Sequence, residues 1–383
     1  MSSIWGNNLK ISVFGESHGE AIGITIDGLP SGFEIDWEKI RSFMQRRMSR
    51  GMPWSTKRNE QDIPRVLSGI YQDKTTGTPL CAMIENHDAR SADYSAHESI
   101  VRPGHADLTA MARYLGYSDP RGGGHFSGRL TAPIVFAGAI CMQILEREKI
   151  NIFGHIESIG GCHDQRFEAV RIDKKQMEEL RGIADKNFPV LNDNIREDMI
   201  GQIQMAKERL DSIGGIVECM ACGVGAGLGD PIFDSVESRL SSILFSIPAV
   251  KGVEFGAGFD VSKRLGSENN DIPYFAAPVS SKTGQTDGLQ QSTQQSVKFS
   301  PVIRYKTNNA GGIEGGITNG MPILFRVAFK PTPSIAREQK SIDPATKENI
   351  ILQIKGRHDP CIVPRAVPVV EAACAIAILD LKL

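Results

Sequence analysis

The sequence predicts a fold of the α/β or α+β class. Strand-like segments alternate with segments of helical periodicity along the chain of 383 residues. No obvious linker interrupts this alternation, so we expect one large domain over residues 1–383. A faint internal similarity connects Ile24–Asp36 with Cys219–Asp234, because each stretch resembles a strand, a glycine-bearing turn and an acidic helix start. This similarity suggests two related halves within the domain.

The individual elements follow from periodicity and from capping residues. Alternation predicts strands at about Lys10–Gly15, Ala21–Asp27, Val66–Ile70, Leu80–Ile84, Asn151–Ser158 and Gly214–Gly223. Helical spacing predicts helices at about Asp36–Met48, Ser127–Glu148, Asp193–Ser212 and Phe233–Ile247. In the first helix Asp36 can cap the N-terminus, and positions 40, 43, 44 and 47 recur at helical spacing. Turn residues dominate Arg113–His125, which predicts a loop.

One stretch differs in composition from the rest of the chain. Ser262–Asn309 is rich in Ser, Gln, Asn, Thr and Gly and has little hydrophobic periodicity. Such a composition is typical of a solvated insertion or of a mobile surface loop. We therefore expect residues 262–309 to form a polar insertion, either inert or acting as a lid.

Composition and charge exclude several classes of function. A formal net charge of -2 leaves no general excess of cations for binding a nucleic acid backbone. The N-terminus lacks the layout of a signal peptide. The longest apolar stretch, Thr131–Leu145, is shorter than the ~20 residues that span a bilayer and resembles a buried helix. Seven scattered cysteines favour reduced thiols in a cytoplasmic enzyme. We expect neither nucleic acid nor membrane as a partner.

Common site motifs are absent or weak. The chain has no Gly-Lys dipeptide and hence no P-loop, and Gly223–Gly229 does not fit the dinucleotide spacing. Cys219 and Cys222 have zinc-like spacing, but on a strand they point to opposite faces, so we expect no metal site. Gly15-Glu-Ser17-His-Gly19 matches a hydrolase nucleophile elbow, although too few strands precede Ser17 to build that fold.

Glycine-flanked histidines form the most informative pattern. His18, His105, His125 and His358 each lie beside or near glycine, and arginines accompany three of these four segments. Glycine permits close approach of backbone and imidazole to a ligand. The arginines are Arg102, Arg121, Arg129 and Arg357, joined by Arg365. Since guanidinium groups bind phosphate and carboxylate bidentately, the pattern predicts a cavity for a small polyanion, with a histidine able to act as a general acid.

These segments carry a family resemblance. They include Phe14–Gly19 (FGESHG), Arg102–Asp107 (RPGHAD), Arg121–Gly124 with Ser127 and Arg129, Asp211–Gly215 (DSIGG), Gly227–Asp234 (GLGDPIFD), Ala249–Gly256 (AVKGVEFG), Asn309–Ile317 (NAGGIEGGI), Lys330–Ser334 (KPTPS) and Lys355–Cys361 (KGRHDPC). In this order they resemble chorismate synthase over nearly the whole chain.

The resemblance implies a lyase. It implies that chorismate forms from 5-enolpyruvylshikimate 3-phosphate by anti-1,4-elimination of phosphate, the last common step of the shikimate pathway to aromatic amino acids. It also implies a requirement for reduced FMN without net oxidation or reduction. The expected assembly is a cytoplasmic homotetramer of βαβ sandwiches. NADPH is the expected reductant in members that reduce their own flavin.

Site residues are likewise implied by position in the matching motifs. His18 would protonate the flavin, His105 would be the acid toward the leaving phosphate, and Asp359 would help to relay the C6 proton. Ser17 and Ser127 would support them by hydrogen bonding. The implied flavin contacts are His125, Phe126, Ser127, Pro248, Ala249, Gly315, Lys330, Pro331, Thr332, Pro333, Ser334 and Arg357. The implied substrate contacts are Arg47, Arg129, Arg357 and His105, and Arg47 also matches a nicotinamide-binding arginine.

The chain departs from the family pattern at three places. His125-Phe126-Ser127 stands where many members have Arg-Ser-Ser, so the backbone is expected to provide more of the flavin contact. Pro53 replaces a second nicotinamide-site arginine, which leaves open whether the protein reduces its own flavin with NADPH. The stretch Ser262–Asn309 is longer than in many members. A hydrolase using Ser17 and a flavin-binding protein without chemistry remain the alternatives to the lyase.

Overall fold

The computed structural model of the protein describes residues 3–49, 51–56, 60–87, 100–170, 172–276, 302–354 and 358–383. Its strands are β1 Ile4–Trp5, β2 Lys10–Gly15, β3 Ala21–Asp27, β4 Arg65–Ser68, β5 Ile70–Tyr71, β6 Lys74–Thr75, β7 Leu80–Glu85, β8 Asn151–Ile159, β9 Cys162–His163, β10 Gly215–Cys222, β11 Val250–Phe255, β12 Pro273–Ala276, β13 Val302–Tyr305, β14 Ile313–Glu314, β15 Ile317–Thr318, β16 Ile323–Phe329, β17 Gln339–Asp343 and β18 Glu348–Leu352. Its α-helices are α1 Trp37–Arg47, α2 Asp107–Tyr114, α3 Thr131–Arg147, α4 Lys174–Ala184, α5 Arg196–Glu208, α6 Val236–Ser246, α7 Gly266–Asn269 and α8 Val363–Lys382.

Two five-stranded antiparallel sheets enclose a layer of helices. The first sheet has the strand order β1-β2-β3-β7-β4, and the second has the order β11-β16-β10-β8-β9. Helix α3 contacts β3 and β7 of the first sheet and β8 of the second, while α8 packs against α3, β8 and β10. One continuous hydrophobic cluster joins side chains of both sheets and of these helices. This arrangement confirms the predicted α+β class and the βαβ sandwich.

The helix layer is held by close packing and by capping. Asp36 accepts hydrogen bonds from the backbone N–H groups of Glu38 and Lys39, as expected for the N-cap of α1. At the contact between α3 and α8, a Cβ on Gly138 would lie only 2.3 Å from the Cβ of Ala372. Glycine is therefore required at position 138 for the two central helices to approach each other.

The internal similarity has a structural counterpart. β3 and β10 are each the central strand of their sheet, and each leads through a glycine-bearing loop to a helix, α1 or α6. The second helix begins at Val236, three residues later than the predicted start at Phe233, because Ser235 is its N-cap. The two sheets thus repeat a central-strand-to-helix unit, as two related halves would.

Several elements differ from the sequence-based predictions. α2 ends at Tyr114, so its last turn occupies the start of the segment predicted as a loop from Arg113. β11, β16 and α8 were not predicted, although all three belong to the core of the fold. Within the polar stretch 262–309, β12 and β13 pair as antiparallel strands, whereas residues 277–301 lie outside the described residues. The described flanks of this stretch are therefore regular structure.

The predicted buried helix near Thr131 corresponds to α3 and the short turn before it. Residues Gly128–Arg147 are long and apolar enough to cross a membrane by length and composition, but most of this segment is buried inside the protein. α3 therefore behaves as a core helix, packed on both of its sides.

Candidate active site

The three glycines after Arg121 bring two histidines together. Gly122, Gly123 and Gly124 all have positive φ, at 60°, 107° and 49°, a conformation that other residues rarely adopt. A Cβ on Gly122 would lie 2.0 Å from Cε1 of His18, and a Cβ on Gly123 would lie 3.1 Å from Nε2 of His105. The loop is therefore the spacer between His18 and His105.

His18 lies in the turn between β2 and β3. Oγ of Ser17 lies 3.0 Å from Nδ1 of His18, and the backbone N–H of Ser17 donates to the carbonyl of Gly124 (3.1 Å). Both side chains are buried. Ser17 is in a hairpin turn and not in the strand-to-helix turn of a nucleophile elbow, which disfavours the hydrolase interpretation.

His105 has a carboxylate partner. Its Nδ1 lies 2.7 Å from Oδ1 of Asp107, whose carboxylate also accepts from Nε and Nη2 of Arg102 (2.8 and 2.6 Å). Burial raises the pKa of Asp107, but the hydrogen bonds from His105 and Arg102 outweigh it and hold that pKa well below its usual value. Because an ionised carboxylate only accepts, Nδ1 of His105 donates to Asp107, and Nε2 is left to interact with other groups.

A buried acidic residue joins two of the predicted arginines. Oδ2 of Asp62 accepts from Nη2 of Arg47 (2.7 Å), and Oδ1 accepts from Nη1 of Arg129. Nη1 of Arg129 also lies 3.1 Å from Oε2 of Glu60, and its Nε donates to Oδ1 of Asn86 (3.0 Å). Burial lowers the pKa of Arg47, against the opposing effect of Asp62. The two guanidinium groups thus share one carboxylate.

Asp359 fixes a second part of the site. Its Oδ2 accepts from Nη1 of Arg365 (2.7 Å), and its Oδ1 accepts from the backbone N–H of Thr56 (2.8 Å). Nε of Arg365 donates to the backbone carbonyl of Arg47 (2.8 Å). The carboxylate of Asp359 therefore connects the start of α8 with the loop after α1.

These groups surround one cavity of about 530 Å³, a size typical of small-molecule sites. Its polar wall holds the two carboxylate-linked arginine groups and His105. Its other wall is largely apolar. The lining residues there include Phe126, Phe245, Ile247, Pro248, Ala249, Val250, Phe329, Ile362 and Val369. The cavity can therefore take a ligand that has both a flat apolar part and several anionic groups.

Comparison with known proteins decides the family. The family model described as chorismate synthase matches residues 9–383. Chorismate synthases of Dehalococcoides mccartyi and Lachnoclostridium phytofermentans are 42% and 44% identical to the chain over all of its length, covering 97% and 95% of their own. That of Thermococcus kodakarensis is 42% identical over 98% of this chain and 96% of its own length. The chain belongs to the chorismate synthase family.

The fold agrees with this membership. A crystal structure of a chorismate synthase superimposes with a TM-score of 0.71 at 27% identity, covering 98% of this chain and 92% of the other. Membership assigns the chain the formation of chorismate, a carbon–oxygen lyase reaction of the shikimate pathway. Among the described residues, no cluster of His, Cys, Asp and Glu is suited to hold a metal ion.

Most residues implied by the chorismate synthase motifs lie at the cavity. Those that line it are Arg47, His105, His125, Phe126, Ser127, Arg129, Pro248, Ala249, Lys330, Thr332, Pro333, Ser334 and Asp359. Ser17 and His18 do not line the cavity, although His18 packs against Gly122, which does. Pro331 does not line it either, although both of its neighbours do. Gly315 is in the turn between β14 and β15 and does not line the cavity. Arg357 lies outside the described residues.

Asp359 was predicted as a residue of the site, but two other acidic residues that line the cavity, Glu60 and Asp62, were not. Glu60 and Asp62 follow directly after the stretch Arg41–Arg58, which contains arginines and a lysine but no acidic residue. This position could have indicated that the two acidic residues pair with the arginines. Thr56 and Ile362 also line the cavity without having been predicted. Acidic residues are easily overlooked in a search for anion-binding groups, because only the folded chain reveals that they orient the arginines.

Proposed function

We propose that this cavity binds 5-enolpyruvylshikimate 3-phosphate next to reduced FMN and catalyses the anti-1,4-elimination of phosphate that gives chorismate. The observation that carries the proposal is that His18 and His105 both pack against one glycine loop, in the cavity region that also holds the arginine pair linked by Asp62. Acids for two proton transfers and cations for a phosphate and two carboxylates are thereby available in one place.

The residues present fit a flavin. The apolar wall around Phe126 and Ala249 suits a flat ring system, and Lys330 supplies a cation close to it. Oγ1 of Thr332 is buried and has no hydrogen-bond partner among the described residues, as expected for a group that a ligand completes. The residues that would hold FMN are those of the Lys330–Ser334 segment, the Pro248-Ala249 pair and His125–Ser127, with Gly315, Pro331 and Arg357 kept as proposals.

Bound reduced FMN would supply electron density while phosphate leaves, together with an acceptor for the C6 proton. The protein's own groups orient the reactants and move protons. His105 donates a proton from Nε2 to the departing phosphate, and Asp107 stabilises the charged imidazole. His18, hydrogen-bonded to Ser17, holds the second proton beside the glycine loop. Ser127 caps the turn that carries Arg129 by accepting from the backbone N–H of that residue.

The anionic groups of the substrate are assigned to Arg47 and Arg129, with Arg357 as a further contact. Asp359 lines the cavity just before the start of α8 and is the proposed relay for the C6 proton. NADPH, for which Arg47 is the matching residue, is a proposed reductant of the flavin. We further propose a cytoplasmic homotetramer, one domain over residues 1–383, and a polar insertion at 262–309 that serves as a lid or as an oligomer contact.

The test is anaerobic turnover of 5-enolpyruvylshikimate 3-phosphate, with phosphate and chorismate measured together. FMN is supplied either oxidised or chemically reduced, and a parallel reaction replaces the chemical reductant with NADPH. Equal amounts of both products only with reduced FMN are expected. Flavin binding without product would contradict the lyase and leave a binding protein. Covalent labelling of Ser17 by a fluorophosphonate would favour a hydrolase.

A further inference from the structure

Asp62 occupies an unusual position between two buried cations. Its side chain is 1% exposed, and those of Arg47 and Arg129 are 5% and 3% exposed. Arg47 ends helix α1, whereas Arg129 lies in the turn before α3. Asp62 therefore connects two elements that are far apart in sequence, and it does so at the wall of the cavity.

The two arginines need this carboxylate. Burial disfavours the charged form of Arg47, and the nearby guanidinium of Arg129 does so as well. Arg47 and Arg129 in turn hold the pKa of Asp62 below its usual value, although burial acts in the opposite direction. Without the carboxylate, electrostatic repulsion would separate the guanidinium groups or move them towards solvent.

The backbone conformation of Asp62 is unfavourable, which indicates that the surrounding structure holds this residue in place. Its φ is +46°, in the left-handed region that non-glycine residues rarely adopt, at a cost of about 1 kcal/mol. Nε of Arg47 is buried and has no hydrogen-bond partner among the described residues. Asp62, in an unfavourable backbone conformation, thus holds both arginines, and Nε of Arg47 remains available as a donor to a further acceptor.

We propose that Asp62 is a positioning residue for the reaction: it holds Arg47 and Arg129 side by side so that both guanidinium groups bind one anionic group of the substrate. This inference rests on the proposed function, since it assigns the arginine pair to substrate binding. It predicts that the geometry of the pair, and not only its charge, determines substrate affinity.

Glu60 provides the matched control. Its ion pair among the described residues is with Nη1 of Arg129, at 3.1 Å, and its side chain is 14% exposed. Glu60→Gln therefore removes one carboxylate of the same cluster while Asp62 still joins both arginines. Asp62→Asn keeps the size of the side chain but removes the negative charge between the arginines. Comparison of the two variants separates the bridging role from a general effect of acidic charge.

The experiment has a kinetic and a thermal readout. We expect Asp62→Asn to raise KM for 5-enolpyruvylshikimate 3-phosphate by roughly ten- to hundredfold with a smaller change in kcat, since the arginines lose their alignment. Glu60→Gln should change KM by less than about fivefold. Inorganic phosphate should raise the Tm of the Asp62→Asn protein more than that of the wild type, because phosphate can replace the missing carboxylate.

The outcomes are distinct from those that test the proposed function. Wild-type protein without turnover would overturn the function, whereas the phosphate effect on Tm can be measured in either case. Equal KM in Asp62→Asn and wild type, or equal phosphate effects on their Tm, would overturn the positioning role. If Asp62→Asn does not fold, Asp62→Glu keeps the charge but displaces the carboxylate, and a wild-type KM in that variant would equally overturn the role.

Discussion

The protein contains two buried ionic clusters of similar composition in different surroundings. The cavity cluster consists of Arg47, Asp62 and Arg129 with Glu60, and its members line the candidate active site. The sheet cluster consists of His155, Glu218, Arg326 and Glu254 on the second sheet. None of these four is among the residues that line the cavity in the described part of the chain. The comparison distinguishes charged groups that can bind a ligand from charged groups that stabilise the fold.

The sheet cluster is a row of cross-strand pairs. Glu218 on β10 lies opposite His155 on β8 and Arg326 on β16, and Arg326 lies opposite Glu254 on β11. Nε2 of His155 is 3.0 Å from Oε2 of Glu218, and Nε of Arg326 donates to Oε1 of Glu254 (2.6 Å). Positive and negative charges therefore alternate across four adjacent strands, and each stabilises its neighbours.

The clusters differ in the surroundings of their polar atoms. In the sheet cluster, Nη2 of Arg326 donates to the carbonyl of Gly256 and Oε2 of Glu218 accepts from the N–H of Phe167. In the cavity cluster, Nε of Arg47 has no hydrogen-bond partner among the described residues. Nδ1 of His155 in the sheet cluster also has no close hydrogen-bond partner in the described part of the chain, but it lies 3.4 Å from Oδ2 of Asp164. A donor left over at a cavity wall indicates a ligand, whereas one that faces a buried protein carboxylate indicates a structural role.

The largest expected effect is on catalysis. Replacing His105 with Ala should lower kcat by roughly 10²–10⁴-fold, because the acid for the leaving phosphate is lost. Asp107→Asn should fall between this variant and the wild type, since it removes only the partner of Nδ1. Both are measured by chorismate formation with chemically reduced FMN. A kcat within twofold of wild type for His105→Ala would remove this histidine from the mechanism.

The second prediction concerns the sheet cluster and should affect stability alone. Arg326→Met removes the cation that pairs with Glu254 and leaves Glu218 with its contact to His155. Breaking a buried pair in this way costs about 3–5 kcal/mol. Denaturant unfolding measures the loss, and kcat per folded molecule should stay at the wild-type value. Lys39→Met is the control, since the Lys39–Glu146 pair is about half exposed and is worth at most about 1 kcal/mol. A similar loss in both variants would refute the distinction between the clusters.

Parts of the fold and of the site differ in how well they could be predicted from the sequence. The strand pair β2–β3 and the helices α1 and α3 were predicted because each has an amphipathic or strongly apolar pattern with a clear start. The histidine and arginine loops were found because glycine beside histidine and arginine is a local signal in the sequence. These parts of the site could be predicted without knowing which distant segments contact each other.

The missed parts depend on contacts between distant segments. Helix α8 is buried along nearly its whole length, and its continuous apolar run shows no helical periodicity. Arg326 lies in an apolar strand, and its pairing with Glu218 depends on a strand register that one sequence does not reveal. Asp62 follows Arg47 by 15 positions, and only the fold places it between Arg47 and Arg129.

The smallest expected effect is a pH dependence of the sheet cluster. Burial alone would lower the pKa of His155, but hydrogen bonding and ionic contact with Asp164 and Glu218 outweigh it, so that the pKa is raised above the ordinary 6.5. A group whose pKa is higher in the folded state stabilises the fold below its unfolded pKa and loses this contribution as pH rises through the folded value. The stabilisation due to His155 should therefore be complete below about pH 6 and decline at higher pH.

Unfolding free energies of the wild type and of His155→Gln, measured between pH 5.5 and 9, test this sign. The difference between the two proteins should be largest at the acidic end and shrink by up to about 1.4 kcal/mol per pH unit where His155 titrates. Asp164, whose pKa is lowered, stays ionised throughout this range and does not contribute to the slope. A difference that grows with pH would mean that His155 is buried as the neutral imidazole, and the sheet cluster would then resemble an ordinary polar network rather than a row of alternating charges.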